Sequence, residues 1–232
     1  MSGALLLIES ALVAAVLTAW CRLAATPAGQ TDPAAGPILV VASLAVAAML
    51  GARLVYSWKR RTLSGGWWGL DAAVRQLATP VAIGAAGALA AWAVWRASEG
   101  EKLGGYGSLL VLLLVTASGA KLAAETYLFA QLGGDPSPRQ ESARALVGPK
   151  SLVAKTRYAL GVMGGIVLPL GAQILAGGAK NIPAVADAAA PATLAVLSLV
   201  CLLPGELLER RLFWSDGAAN SATAARESAP NR

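Results

Sequence analysis

Four ionisable side chains interrupt otherwise apolar stretches of this chain: Glu9, Lys121, Glu125 and Glu206. A charge in hydrocarbon costs roughly 3 kcal/mol on insertion scales, so such groups are retained for a partner or a task. Lys121 and Glu125 are four residues apart, on one face of a helix, and this spacing predicts that they pair with each other. Their chemistry is then one of two kinds. Either the pair fixes helix packing, or a carboxylate in an apolar wall exchanges protons with a redox substrate. If the bundle is compact, Glu206 approaches the depth of Lys121 and Glu125, and the three form a buried charge network.

The elements that must hold these groups are membrane helices. Hydrophobic residues make up 56% of the 232 and charged residues 14%, with a mean hydropathy of +0.59, which is more apolar surface than a soluble fold of this size can hide. Six apolar runs span residues 3–25, 37–57, 77–97, 108–132, 153–178 and 188–213, each long enough to cross about 30 Å of hydrocarbon. The fold class is therefore all-α, a polytopic transmembrane helix bundle of about six helices. Residues 1–214 form the bundle. Residues 215–232, rich in Ser, Ala and Asn, are expected to be a disordered cytoplasmic tail. Pro169 predicts a kink in the fifth helix, while Gly161 and Gly165 give it a small-residue surface for close packing.

Histidine is absent, which excludes histidine-ligated haem and metal centres and a Ser-His-Asp triad. The two cysteines, Cys21 and Cys201, fall at different membrane depths and read as packing residues. Orientation follows from Lys and Arg, whose excess marks short cytoplasmic loops. Of the 19 basic residues, 14 fall on one face, including Arg53, Lys59 to Arg61, Arg75, Arg139, Arg144, Lys150, Lys155, Arg157, Arg210 and Arg211. Both termini are thus expected in the cytoplasm. The basic character follows from topology, so no nucleic-acid partner is implied. Trp20, Trp92, Trp95 and Tyr106 are expected near the opposite interface as interfacial anchors.

Three stretches resemble a known family. The segment Pro204-Gly-Glu-Leu-Leu-Glu-Arg-Arg-Leu-Phe-Trp214 is similar to the closing helix of dimethyl sulfoxide reductase-type membrane anchor subunits. Ala120-Lys-Leu-Ala-Ala-Glu-Thr-Tyr-Leu-Phe129 resembles the family's Lys-Leu-x-x-Glu-x-x-x-Phe helix. Arg157-Tyr-Ala-Leu-Gly-Val-Met-Gly-Gly-Ile-Val-Leu-Pro169 resembles its Arg-x-x-Leu-Gly-x-x-Gly-Gly-x-x-x-Pro helix. The N-terminal half departs from the pattern. Leu50-Gly-Ala-Arg53 stands where the family has Leu-His-Leu-Gly-Arg-Pro, without the His and with Leu54 for Pro. Gly66-Trp-Trp-Gly-Leu-Asp71 stands where Ser-Trp-Leu-Ser-Arg-Glu is usual, and six helices replace eight.

The resemblance implies a subunit of a bacterial inner membrane that is not catalytic alone. Its partners would be an iron–sulfur electron-transfer subunit and a molybdopterin catalytic subunit, with quinol or menaquinol from the membrane as substrate and no haem or covalent cofactor of its own. Quinol oxidation releases two protons. Asp71 or Glu125 would accept them, while Arg53 or Trp67 would position the ring, which makes these four the quinol-site candidates. The competing readings are a scaffold subunit of another membrane complex, without a quinol site, and a small transporter using Lys121, Glu125 and Glu206 as coupling groups.

Overall fold

The computed structural model describes residues 3–27, 34–62, 69–130, 148, 151–178 and 184–227. Every regular element is a helix, and no strand occurs among the described residues. In chain order these are α1 (Gly3–Ala25), α2 (Ala35–Thr62), α3 (Gly69–Ser98) and α4 (Gly104–Ala130). Then comes α5, made of Ser151–Val162, a π-helical turn Met163–Val167 and Leu168–Gly178, and finally α6 (Ala184–Glu227). Six of these helices are long and apolar enough to span a membrane, so the chain is an all-α, multi-pass bundle. Hydropathy marks only the part of a helix that lies in hydrocarbon, which is why α2, α3 and α6 overrun their apolar runs. α6 also continues through residues 215–227, part of the segment expected to be disordered. Five alanines between 218 and 225, with no proline before Pro230, make that stretch a good helix former despite its polar composition.

Helix α3 is the centre of the bundle, packed on α1, α4 and α6. Its Ala82, Ala85, Ala86, Ala88 and Leu89 are all buried. Small side chains let backbones approach without a hydrophobic driving force from lipid. A Cβ at Gly84 would lie 2.6 Å from Val13 Cβ, so α1 rests on the bare α3 backbone there. At one end of the bundle α3 terminates in a Schellman arrangement: Gly100, at φ 70°, sends its N–H to Ala97 O, and the Glu101 N–H bonds Arg96 O. The loop to α4 is tied down by the Trp92 indole N–H, which donates to Leu103 O at 2.8 Å, and by Arg96 Nε donating to Lys102 O at 3.1 Å. Trp92 is only 2% exposed and meets Trp95 and Tyr106 edge-on, with the Arg96 guanidinium over its ring. It is therefore a buried packing centre at this end of the bundle.

The expected kink at Pro169 takes the form of a widened turn. The Leu168 N–H bonds Met163 O, five residues back. In that register the next acceptor, Gly164 O, would need an N–H from residue 169, and proline has none. The Ser198 hydroxyl of α6 donates to Gly164 O and fills the gap. Ser198→Ala is expected to destabilise the bundle by about 1–2 kcal/mol by orphaning this buried carbonyl. Ser10→Ala, at a buried hydroxyl with no hydrogen-bond partner among the described residues, should be close to neutral. Thermal unfolding of both variants in detergent checks the difference.

Candidate functional site

Glycines decide how closely the helices carrying the charged groups approach. A Cβ at Gly164 would lie 2.7 Å from Leu202 N and from Ser198 O, so α5 and α6 are in backbone contact at the π turn. A turn nearer the helix ends, a Cβ at Gly205 would lie 3.2 Å from Leu160 Cβ and 3.6 Å from Arg157 O. This approach puts Arg157 of α5 within reach of Glu209 of α6. Gly161 and Gly165 face α4, against Leu122 and Ser118 respectively, which brings Arg157 to Glu125.

The outcome is one ionic network drawn from four helices. Arg157 clasps Glu125 with both terminal nitrogens, and its Nη2 donates to Glu209 Oε2 at 2.9 Å. Arg75 Nη2 of α3 donates to Glu209 Oε1 at 2.9 Å, and its Nε lies 3.9 Å from Glu125 Oε1. Lys121 pairs with Glu206 and with Glu209. Lys121 also donates to Thr79 Oγ1 at 2.8 Å, and that oxygen lies 3.2 Å from Glu206 Oε2. Three cations (Arg75, Lys121, Arg157) thus balance three carboxylates (Glu125, Glu206, Glu209). All except Arg75 are buried, and even the Arg75 side chain is only 12% exposed. Burying so many charges is tolerable only when each is paired and hydrogen-bonded.

The network has two layers. Thr79, Lys121 and Glu206 stand three or four residues further into their helices than Arg75, Glu125 and Glu209, about one helical turn, or roughly 5 Å. The layer nearer the helix ends contains both arginines. The inner one contains a single lysine, a single carboxylate and a hydroxyl.

Lys121, Glu125 and Glu206, grouped from the sequence, are indeed brought into one network, but Lys121 does not take Glu125 as its partner. The ammonium turns across to α6, while Glu125 is held by the arginine of α5. Arg53 pairs with Glu9 across the α1–α2 contact, a separate site. Of the other quinol-site candidates, Trp67 lies outside the described residues, and Asp71 stands near the start of α3 with its side chain outside those described. Sequence reasoning missed Arg75, Thr79, Arg157 and Glu209. Arg75 was counted only as a marker of a cytoplasmic flank, and Arg157 as such a marker and as the first residue of a family-like stretch. A usable signal was present: Arg75 and Thr79 are four apart, and Glu206 and Glu209 three apart, each pair on one helical face.

Comparison with protein-family models, curated proteins and solved structures finds no match to this chain.

Proposed function

We propose that this chain is the membrane anchor subunit of a molybdopterin and iron–sulfur respiratory oxidoreductase in a bacterial cytoplasmic membrane. It holds the soluble subunits and passes electrons between the quinone pool and the iron–sulfur subunit. One observation carries the reading. Residues on which the three stretches resemble the anchor family meet one another: Lys121 pairs with Glu206, Glu125 pairs with Arg157, and Gly164, Gly165 and Gly205 set the close approach of their helices. Matches scattered by chance along three helices have no reason to meet in one place. A second reading is favoured by the closure of the network. Since Glu125 is committed as the counter-ion of Arg157, it is a poor acceptor for quinol protons, as it would be in a scaffold subunit without a quinol site.

The basic excess supports a topology with both termini in the cytoplasm and with the basic segments around Lys59 to Arg61 and Arg139 to Lys155 facing an acidic surface of the partner, whereas Arg157 is buried in the network. Purification of the full chain from its membrane in mild detergent should bring an iron–sulfur protein whose clusters are reduced on adding a quinol. A partner set without iron–sulfur clusters overturns the proposal, and a cluster-bearing partner that quinol does not reduce selects the scaffold reading. In a variant with Cys21 and Cys201 replaced by serine, Ser98→Cys should be labelled from outside and Ser142→Cys should not. The reverse pattern overturns the orientation.

A further inference from the structure

We propose that Glu206, held by Lys121 and Thr79, is a proton-binding site inside the membrane bundle, whereas the arginine layer below it is a fixed structural clamp. The three carboxylates are not held alike. Glu125 receives both terminal nitrogens of Arg157, with Arg75 at 3.9 Å. Glu209 meets three cations, Arg75, Lys121 and Arg157. Among the described residues Glu206 meets one cation, Lys121, and one hydroxyl. Guanidinium keeps its charge under all ordinary conditions, so a carboxylate it clasps is locked as an anion. Glu206 has no such lock.

The surroundings also provide for the protonated form. Lys121 already touches Glu209, so its ammonium keeps a carboxylate partner when Glu206 becomes neutral. Thr79 has one hydroxyl hydrogen and two acceptors within reach, Glu206 Oε2 at 3.2 Å and Arg75 O at 2.8 Å. With Glu206 ionised, the hydroxyl donates to it. When a proton from water binds a Glu206 oxygen, the Thr79 hydrogen turns to Arg75 O, and the threonine oxygen is left to accept from Lys121 or from the new carboxyl O–H. No bond to carbon changes and no electron moves. The network passes from neutral to a single positive charge, spread over Arg75, Lys121 and Arg157 against Glu125 and Glu209. These are the charged groups that α3, α4, α5 and α6 present to Glu206.

The assignment stands apart from the anchor reading, because it is read on this chain without partners. Infrared difference spectra of the full-length chain in lipid nanodiscs, recorded across pH, should show, apart from the bands of the solvent-exposed carboxyls, one titrating protonated-carboxyl band at the higher frequency of a buried group. The band should be lost in Glu206→Gln and kept in Glu125→Gln. Thr79→Val should shift its midpoint, and Thr79→Ser should restore it. Should Glu206→Gln not fold, Lys121→Met/Glu206→Gln removes both charges together and must lack the band as well. A band that survives in either Glu206 variant, that vanishes instead in Glu125→Gln, or that never titrates while the bundle stays folded overturns the proposal.

Discussion

Arg157→Met is expected to deplete the folded protein more than any other single change in the network. The guanidinium clasps Glu125 of α4 with both terminal nitrogens and also holds Glu209 of α6, and without it three carboxylates face two cations in a low-dielectric interior. Breaking a buried pair from one side costs about 3–5 kcal/mol, a large share of the 5–15 kcal/mol that holds a typical fold. At about 1.4 kcal/mol per factor of ten, the folded-to-unfolded ratio should fall by roughly two to four orders of magnitude. Arg157→Met/Glu125→Leu removes one charge of each sign from partners that touch, and should recover most of the loss. Lys121→Leu/Glu125→Leu also preserves the net charge. Yet it takes the ammonium from Glu206 and the clasped carboxylate from Arg157, so it should be worse than the first double change. Unfolding midpoints in detergent give the order. Equal stability of the Lys121→Leu/Glu125→Leu variant and the parent would overturn the pairing described here.

Gly164→Ala should have the next largest effect, although it adds a single methyl group. The new Cβ would sit 2.7 Å from two backbone atoms of α6, Leu202 N and Ser198 O, and neither can turn aside as a side chain would. α6 must shift, which costs about 1–3 kcal/mol as overpacking and also displaces Glu206 and Glu209 from their partners. Gly165→Ala would put its Cβ 2.5 Å from Ser118 Cβ, an atom that side-chain rotation cannot move, so α4 must give way and a comparable penalty is expected. Gly119→Ala and Gly51→Ala have nothing within 4 Å of the added carbon. They should be neutral or gain up to about 1 kcal/mol from the better helix propensity of alanine. Thermal unfolding of the four variants tests this order, and a Gly164→Ala protein as stable as Gly119→Ala would refute the backbone contact at the π turn.

Much of the architecture follows from the chain read alone. Each membrane span satisfies its own backbone hydrogen bonds, so a run of about 20 apolar residues is sufficient to specify a helix without reference to any other part of the protein. That is why the run at residues 3–25 coincides with α1, and why all six spans are legible. The break before Pro169 is legible for the same local reason, since a missing N–H is a property of one residue. Spacing likewise puts Lys121 and Glu125 on one face of α4.

Partners are another matter. Which neighbour a helical face meets depends on how each helix is rotated and how near its backbone comes, and those are settled by Gly84, Gly161, Gly164, Gly165 and Gly205 acting between helices. Tertiary packing alone turned Arg75 and Arg157 inward, although their place at the helix ends fits a cytoplasmic flank equally well. It also buried Trp92 under the loop to α4, where the sequence pattern of an interfacial aromatic is the same. Lys121 has a long, flexible stem that can reach along its own helix to Glu125 or across to α6. The choice fell to α6 because Arg157, a two-pronged donor, claims Glu125 first, and that competition exists only once four helices are in contact.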